Sequence, residues 1–375
     1  MKFCAANKEI YFSFVLLALL YLLIITYTYI YVLLKVPTEP KASESRQIGR
    51  RSLGWRELLE TWDYNFRLKT ESTAPILFTY PGAVKFILNE VRACEKDFLV
   101  VALVMTAIKN NQRRHFIRHT WGHSAVVEKT GIKPLFIVGQ PKQHTDQLAL
   151  EDESHQHHDI LQANFIDDYQ NLTYKTMAIL HWTSTHCTNV PLLLKIDDDV
   201  IPNPFALSDY LVSYLQRNPQ PILLMGKLRR RDKVLRSGKW AVSESEYNGS
   251  RYPPYVAGPS YIVPSAVIPA LLQTAKRTRF LHLEDVYTTG LVAQAAGIRH
   301  KTIISLTNSD GNKMEARWCY GSKVFQENVG PVNATRGWNI LRKVENISQP
   351  EAYVLPTKYK ILKKKKVNGV PGVLL

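Results

Sequence analysis

Three adjacent aspartates, Asp197, Asp198 and Asp199, close the largely apolar run in "LLLKIDDDV". Like charges repel, and partial burial of one carboxylate raises its pKa unless a cation or hydrogen-bond donors compensate. Hard divalent cations take oxygen ligands, commonly one or two carboxylates together with substrate phosphates. An Asp-x-Asp at a strand end is therefore a natural platform for a metal-bound diphosphate, which the cation turns into a better leaving group. Taken alone, the triplet fits a solvated acidic loop better. A second acidic pair, Glu284-Asp285, lies in "LHLEDVYTTG". Inverting group transfer to a hydroxyl needs one carboxylate to take the proton, although Glu and Asp also favour helix N-termini. In "RYPPYVAGPSYIVP" two prolines sit between Tyr252 and Tyr255, ahead of Gly258, which reads as a rigid aromatic loop suited to sugar rings. Arg114 and Arg118, next to Arg113, are four apart and share a helix face that could meet phosphate. "HQHH" (155–158) has no matching ligand set and reads as a surface loop.

These residues need a scaffold. The runs "DFLVVALVMTA" (97–107), "KPLFIVG" (133–139) and "VPLLLKI" (190–196) are continuous, apolar and rich in β-branched residues, as expected of buried parallel strands. Helical stretches lie between them and after them: "NQRRHFIRHTWG", "LTYKTMAILHWTSTHC" and "NPFALSDYLVSYLQRNP". Strands alternating with helices imply an α/β sheet with crossovers. In such sheets ligands bind at the carboxyl ends of strands, where the three aspartates fall. Beyond about residue 321 no clear periodicity is seen.

The chain has 375 residues, ample for a large core, and a formal net charge of +16 that points to acidic partners. Part of the excess is the run Lys363 to Lys366, which reads as a solvated tail. Residues 10–34 carry no charge and exceed the roughly 30 Å of bilayer hydrocarbon as a helix. With no cleavage site, they read as an uncleaved anchor, and Tyr27, Tyr29 and Tyr31 cluster at one end as interfacial aromatics do. The flanking lysines and arginines favour a cytoplasmic C-terminal bulk, a bias that weakens for a long domain. Four sequons, at Asn171, Asn248, Asn333 and Asn346, favour the secretory lumen. Cys94, Cys187 and Cys319 follow the anchor, enough for one disulfide and an odd thiol, and their pairing stays open at this point.

In order and spacing, "RRHFIRHTWG", "DDYQNLTYKTMAILHW", "LLLKIDDDV", "KWAVSESEYNGSRYPPYVAGPSYIVP" and "EDVYTTG" resemble the β-1,3-galactosyltransferase and β-1,3-N-acetylglucosaminyltransferase family of Golgi enzymes. The resemblance spans roughly residues 92–320. It implies a GT-A-type, Rossmann-like mixed sheet flanked by helices, preceded by a single N-terminal transmembrane helix. The organisation it implies is a cytoplasmic tail (1–9), a signal-anchor (10–34), a stem (35–91), a catalytic domain (92–320) and a basic C-terminal extension (321–375). The domain would face the Golgi lumen as a single-pass type II protein. The implied reaction is inverting β-1,3 transfer of galactose from UDP-galactose, with Mn²⁺, to a hydroxyl of a glycan on glycoprotein, glycolipid or proteoglycan. Alternatives are transfer of N-acetylglucosamine or N-acetylgalactosamine, or a catalytically silent lumenal glycan-binding module. By the same resemblance Asp285 is the general base, Asp199 with Asp197 the metal ligands, and Arg114 and Arg118 nucleotide ligands. Asp197, Asp198, Lys195 and Glu284 would lie at the donor, and Tyr252, Tyr255 and Gly258 would shape the sugar pocket. Lys175 and Trp182 look structural, and Cys187 is expected to pair with Cys319. Val256, Ala257, Pro259 and Ser260 depart from the glycine-rich or cysteine-bearing pattern of many relatives. The implied partners are the donor, the acceptor glycan and the Golgi membrane, with a homodimer possible and no nucleic acid expected.

Overall fold

The computed structural model describes residues 54–61, 84–309 and 316–354. The expected anchor at 10–34, most of the stem and Lys363 to Lys366 lie outside the described residues. Among those that are described, no helix is long and apolar enough to cross a membrane.

Among the described residues eleven strands occur in chain order: β1 (Phe86–Leu88), β2 (Val100–Met105), β3 (Ile132–Gln140), β4 (Ile160–Ile166), β5 (Leu192–Asp197), β6 (Ile201–Pro202), β7 (Leu224–Arg229), β8 (Tyr255–Pro264), β9 (His300–Thr302), β10 (Thr307–Asn308) and β11 (Phe325–Gln326). Eight of them form one mixed sheet in the order β1-β4-β3-β2-β5-β8-β7-β9, while β10, β11 and β6 form a small second sheet. Strands β2 to β5 pair in parallel, and β8 is antiparallel to both β5 and β7.

Every residue of β2 is buried, which is why it reads as an unbroken apolar run rather than an alternating one. Side chains alternate across a strand. Accordingly Val100, Ala102 and Val104 join one core layer, with Ile117, Val126, Leu211 and Trp338 from the helices on that face. Val101, Leu103 and Met105 join the other, with Met177, Leu180, Leu271 and Val286. The sheet is thus covered by helices on both faces. Strands β2, β3 and β4 step outward in one direction, and β5 is then laid on the opposite side of β2. A crevice opens at such a switch point, outside the carboxyl ends of the two strands. Met105 lies directly across from Asp197 there.

Sequence reading missed β4, β7 and β8. The segment taken as a rigid aromatic loop contains strand β8. Its register against β7 breaks between Gly226, opposite Tyr261, and Leu228, opposite Val256. Pro259 falls in that irregular stretch, where an absent N–H donor is tolerated. The packed body also extends past residues 92–320 at both ends. Leu58 is part of the core, strand β11 pairs with β6, and Trp338 and Leu341 on the helix Pro331–Val344 are fully buried. His155 and His157 fall in the last turn of the helix His144–His157 rather than in a loop, and they are exposed.

The cysteine pairing expected from the resemblance is corrected. Cys94 bonds to Cys187, with Cα atoms 5.2 Å apart, and Cys319 is a buried free thiol. The reason is sidedness: Cys94 and Cys187 belong to one core layer and Cys319 to the other, across the sheet. Peptide mapping under non-reducing conditions should recover a Cys94–Cys187 cross-link, with Cys319 alkylated only after denaturation. Recovery of a Cys187–Cys319 peptide would contradict this topology.

Candidate active site

Strand β5 ends on Asp197, and period-two alternation places Lys195 and Asp197 on one face. Lys195 is buried, and across the ladder it pairs with Tyr261 of β8. Its ammonium donates to Asp197 Oδ1 at 2.6 Å and to the Gly258 carbonyl at 2.6 Å, and lies 3.0 Å from Glu284 Oε1. Burial alone would lower this ammonium's pKa, but Asp197 and Glu284 outweigh it and hold it above its ordinary value. Glu284 is itself buried, accepting from the Thr176 hydroxyl (3.0 Å) and the Tyr261 phenol (2.9 Å).

The three aspartates have separate environments. Asp198 is locked: it accepts from Thr106 Oγ1 (2.6 Å), Asn110 Nδ2 (2.8 Å) and Arg113 NH1 (2.8 Å), all from the segment after β2. Asp197 and Asp199 remain open to the crevice, with 37% and 38% of their side chains exposed. Burial pushes the Asp197 carboxyl up to about 7; Lys195 pulls against it, while Glu284 and Asp199 add repulsion. The Asp199 carbonyl accepts from Val329 N–H, which ties this turn to the chain after β11.

Asp285 follows Glu284 and opens the π-helical turn Val286–Val292, its side chain accepting from Val286 N–H. Its other oxygen accepts from Gly258 N–H at 2.9 Å. Burial and the neighbouring Glu284 raise its pKa to about 6, partly offset by those N–H donors and by Lys195. Gly258 makes room for the acidic pair: a Cβ there would stand 3.1 Å from Glu284 Oε1 and 3.3 Å from Asp285 Oδ2, so both carboxylates would have to give by a few tenths of an ångström.

One crevice of about 750 Å³ is lined by Lys195, Asp197, Asp199, Glu284 and Asp285, with Tyr252, Tyr255 and Gly258 on its wall. Tyr255 donates to Asp232, and the buried Tyr252 hydroxyl has no hydrogen-bond partner among the described residues. A larger cavity of about 900 Å³ lies elsewhere, between the helix Trp55–Thr61 and the turn at 92–98, and it holds none of these site residues. The described residues contain no ready-made group of three or more metal-ligating side chains. Asp197 and Asp199 instead offer the open oxygens and excess negative charge of a site that substrate phosphates would complete.

Two expected nucleotide ligands are not brought to the site. Arg114 is buried and spends its guanidinium on Glu153 and on the carbonyls of Ala107 and Ile108. Arg118 is committed to Glu153 and Asp159. Their shared face looks toward the helix His144–His157, whereas Arg113, one residue earlier, bonds Asp198 and reaches within 3.8 Å of Asp199. Of the three arginines, only Arg113 faces the aspartates. Asn248 and Asn346 are exposed, while Asn171 is half-buried and bonds the Ile166 carbonyl, with the Thr173 hydroxyl of its sequon buried against Leu281 and His282.

The family model for galactosyltransferase matches residues 112–303. Over 288 residues the chain is 32% identical to beta-1,3-galactosyltransferase 1 of Homo sapiens and of Mus musculus, spanning 73% of this chain and 83% of either relative. It is 28% identical to a UDP-GlcNAc:betaGal beta-1,3-N-acetylglucosaminyltransferase of Rattus norvegicus, over 68% of this chain and 67% of that one. Among solved structures, a galactosyltransferase bound to donor and acceptor sugar analogues aligns with a TM-score of 0.34 at 9% identity, over 69% of this chain and 99% of that one.

The two arginines make opposite predictions. Arg114→Gln should lower unfolding free energy by about 3 kcal/mol in chemical denaturation, because it removes one of the two guanidinium partners of Glu153 and leaves the Ala107 and Ile108 carbonyls without theirs. Arg113→Gln should cost less, about 1 kcal/mol, because its guanidinium is partly exposed and Asp198 keeps Thr106 and Asn110, while reducing turnover. The reverse pattern would return Arg114 to the site.

Proposed function

The chain belongs to the galactosyltransferase family and is a hexosyltransferase, and on that premise we propose that it is an inverting, GT-A-type β-1,3-galactosyltransferase acting on a glycan hydroxyl. The observation that carries this reading is the pairing, within one crevice, of an isolated base with an open carboxylate platform. Asp285 is held by the Gly258 and Val286 N–H groups on one side, with Asp197 and Asp199 open on the other. In the reaction, the acceptor hydroxyl loses its proton to Asp285 as its oxygen bonds the anomeric carbon. The bond from that carbon to the diphosphate oxygen breaks in the same displacement, and the nucleoside diphosphate leaves with the electron pair.

Mn²⁺ fits the donor set, and Asp199 and Asp197 would hold it together with the diphosphate. When bound, it supplies neutralisation of the leaving group's charge. Asp198 orients the turn rather than meeting the donor, since its oxygens are taken by Thr106, Asn110 and Arg113. Lys195 and Glu284 set the spacing between platform and base, and Tyr252, Tyr255 and Gly258 form the sugar wall. Placement as a type II Golgi membrane protein with a lumenal domain belongs to the same proposal. The charge-free stretch 10–34, the exposed sequons at Asn248 and Asn346, and a disulfide suited to an oxidising compartment support it.

The test is turnover of UDP-galactose, UDP-N-acetylglucosamine and UDP-N-acetylgalactosamine with Mn²⁺ and β-galactoside acceptors, the product linkage being read by NMR. UDP-galactose should be preferred and a β-1,3 bond formed; preference for an N-acetylhexosamine donor would move the reading to that branch. Asp285→Asn should lower kcat by about 10³-fold. The base works only when ionised, so with the Asp285 pKa near 6 the rate should be full above that pH. It should then fall about tenfold per unit below it, and Asp285→Asn should abolish that limb. Absence of turnover with every donor would leave only the silent binding module.

A further inference from the structure

The crevice is not uniformly acidic. Its outer wall comes from β7 and the segment leading into β8, and it is lined by Lys227, Arg229, Lys233 and Lys239. Between residues 227 and 251 the chain carries eight lysines and arginines against three carboxylates. The carboxylate partners are largely spoken for. Asp232 accepts from Arg229 (2.8 Å) and Tyr255 (2.8 Å), Glu246 holds His282, and Lys227 is engaged by Ser309 and Glu327. Lys233 and Lys239 are exposed and have no acidic partner among the described residues.

Lys239 is the better placed. Its ammonium lies 5.0 Å from the Tyr169 ring centroid and 5.7 Å from that of Trp240, whose indole N–H donates to the Tyr169 phenol at 3.1 Å. Trp240 is nevertheless 53% exposed. This is an aromatic surface fixed in place with a cation over it, on the wall of the crevice that holds Asp285. Lys227 and Arg229 lie on β7 and Lys233 and Lys239 on the segment that follows it, whereas Asp197 to Asp199 come from the end of β5 and the turn after it. With the donor diphosphate assigned to the aspartates, the basic wall of the same crevice is left for the acceptor.

We propose that Lys233 and Lys239 form an acceptor subsite for an anionic glycan, one bearing a sulfate ester or a uronate carboxylate beside the hydroxyl that is glycosylated. The proposal rests on the glycosyl-transfer reading and deepens it by naming the acceptor class. Because the cations line a concave site rather than a flat face, a ligand that enters the crevice is favoured over an anionic membrane surface.

Three acceptors of one scaffold decide it: a neutral β-galactoside, its sulfated form and its uronate-bearing form, assayed with a fixed donor at low and high salt. For wild type at low salt, kcat/KM should be about threefold to tenfold higher on an anionic form than on the neutral one, as two partly exposed ion pairs would give. The ratio should approach one at high salt, where such pairs are screened. It should likewise approach one in Lys233→Gln/Lys239→Gln. Preference for the sulfated form alone assigns a sulfate, and preference for the uronate form alone a carboxylate. Equal use of neutral and anionic acceptors, or a ratio unmoved by both salt and the double substitution, overturns the subsite while leaving glycosyl transfer intact. No transfer to any acceptor overturns both. The salt series needs no variant, so a misfolded double mutant would not blunt the test.

Discussion

The site depends on one buried ammonium. Lys195 has no exposure to speak of, yet it satisfies Asp197, Glu284 and the Gly258 carbonyl together, and so joins β5, β8 and the turn before the π-helical segment. Removing a single member of such a buried charge cluster typically costs about 3–5 kcal/mol, because the remaining charges lose their compensation. The gain is geometric: residues 195, 258 and 284, distant in sequence, are held within hydrogen-bond reach of each other. Asp285 inherits its position from that arrangement, being the neighbour of Glu284 and an acceptor from Gly258 N–H.

Lys195 is one cation among several acids, and the balance left over defines what the crevice can hold. Asp198 is neutralised by its own donors and Glu284 by Lys195, Thr176 and Tyr261. Asp197 and Asp199 keep open faces toward the crevice, and burial, aided by repulsion from Glu284 and Asp199, pushes the Asp197 carboxyl up to about 7 even with an ammonium 2.6 Å away. A divalent cation relieves this repulsion better than a proton does, since it also draws in the phosphate oxygens. Three adjacent aspartates are thus not three equivalent ligands. The middle one points back to the end of β2 and fixes the turn that presents the other two.

The parts of this arrangement legible in the sequence are those set by burial on both faces. Strands β2, β3 and β5 announce themselves as apolar runs because helices cover both sides of the sheet there. Strand β8 does not, since its middle is irregular and lines the crevice, so Ala257, Gly258 and Pro259 break the pattern. Sidedness was the commonest source of error. On a helix, one residue is a rotation of about 100°, so Arg113 and Arg114 face different neighbours, and their order gives no hint of which looks toward the aspartates. The cysteines fail for the same reason, because Cys187 and Cys319 lie on opposite faces of a sheet whose strand order is not written in the spacing. Lys195, expected at the donor, lines the crevice while giving its ammonium to Asp197, Glu284 and the Gly258 carbonyl, contacts that no spacing in the sequence announces.

The turn after Asp285 shows how the proposed base is kept in step with the wall that carries Tyr255 and Gly258. Residues Val286–Val292 form a π-helical turn, a geometry that recurs at functional sites because it displaces a residue from the regular helical path. Thr289 within it accepts from Val256 N–H at 2.8 Å and donates to the Asp285 carbonyl at 2.6 Å, while its own carbonyl meets the His300 ring at 2.5 Å. Asp285 is therefore bound to β8 twice, through its carboxylate at Gly258 and through its backbone by way of Thr289 at Val256. Any shift of the wall carrying Tyr255 and Gly258 must carry the base with it. Because a misplacement of about 1 Å can cost about 100-fold in rate, a base anchored to the wall proposed to position the sugar is a stronger arrangement than one anchored to the sheet alone.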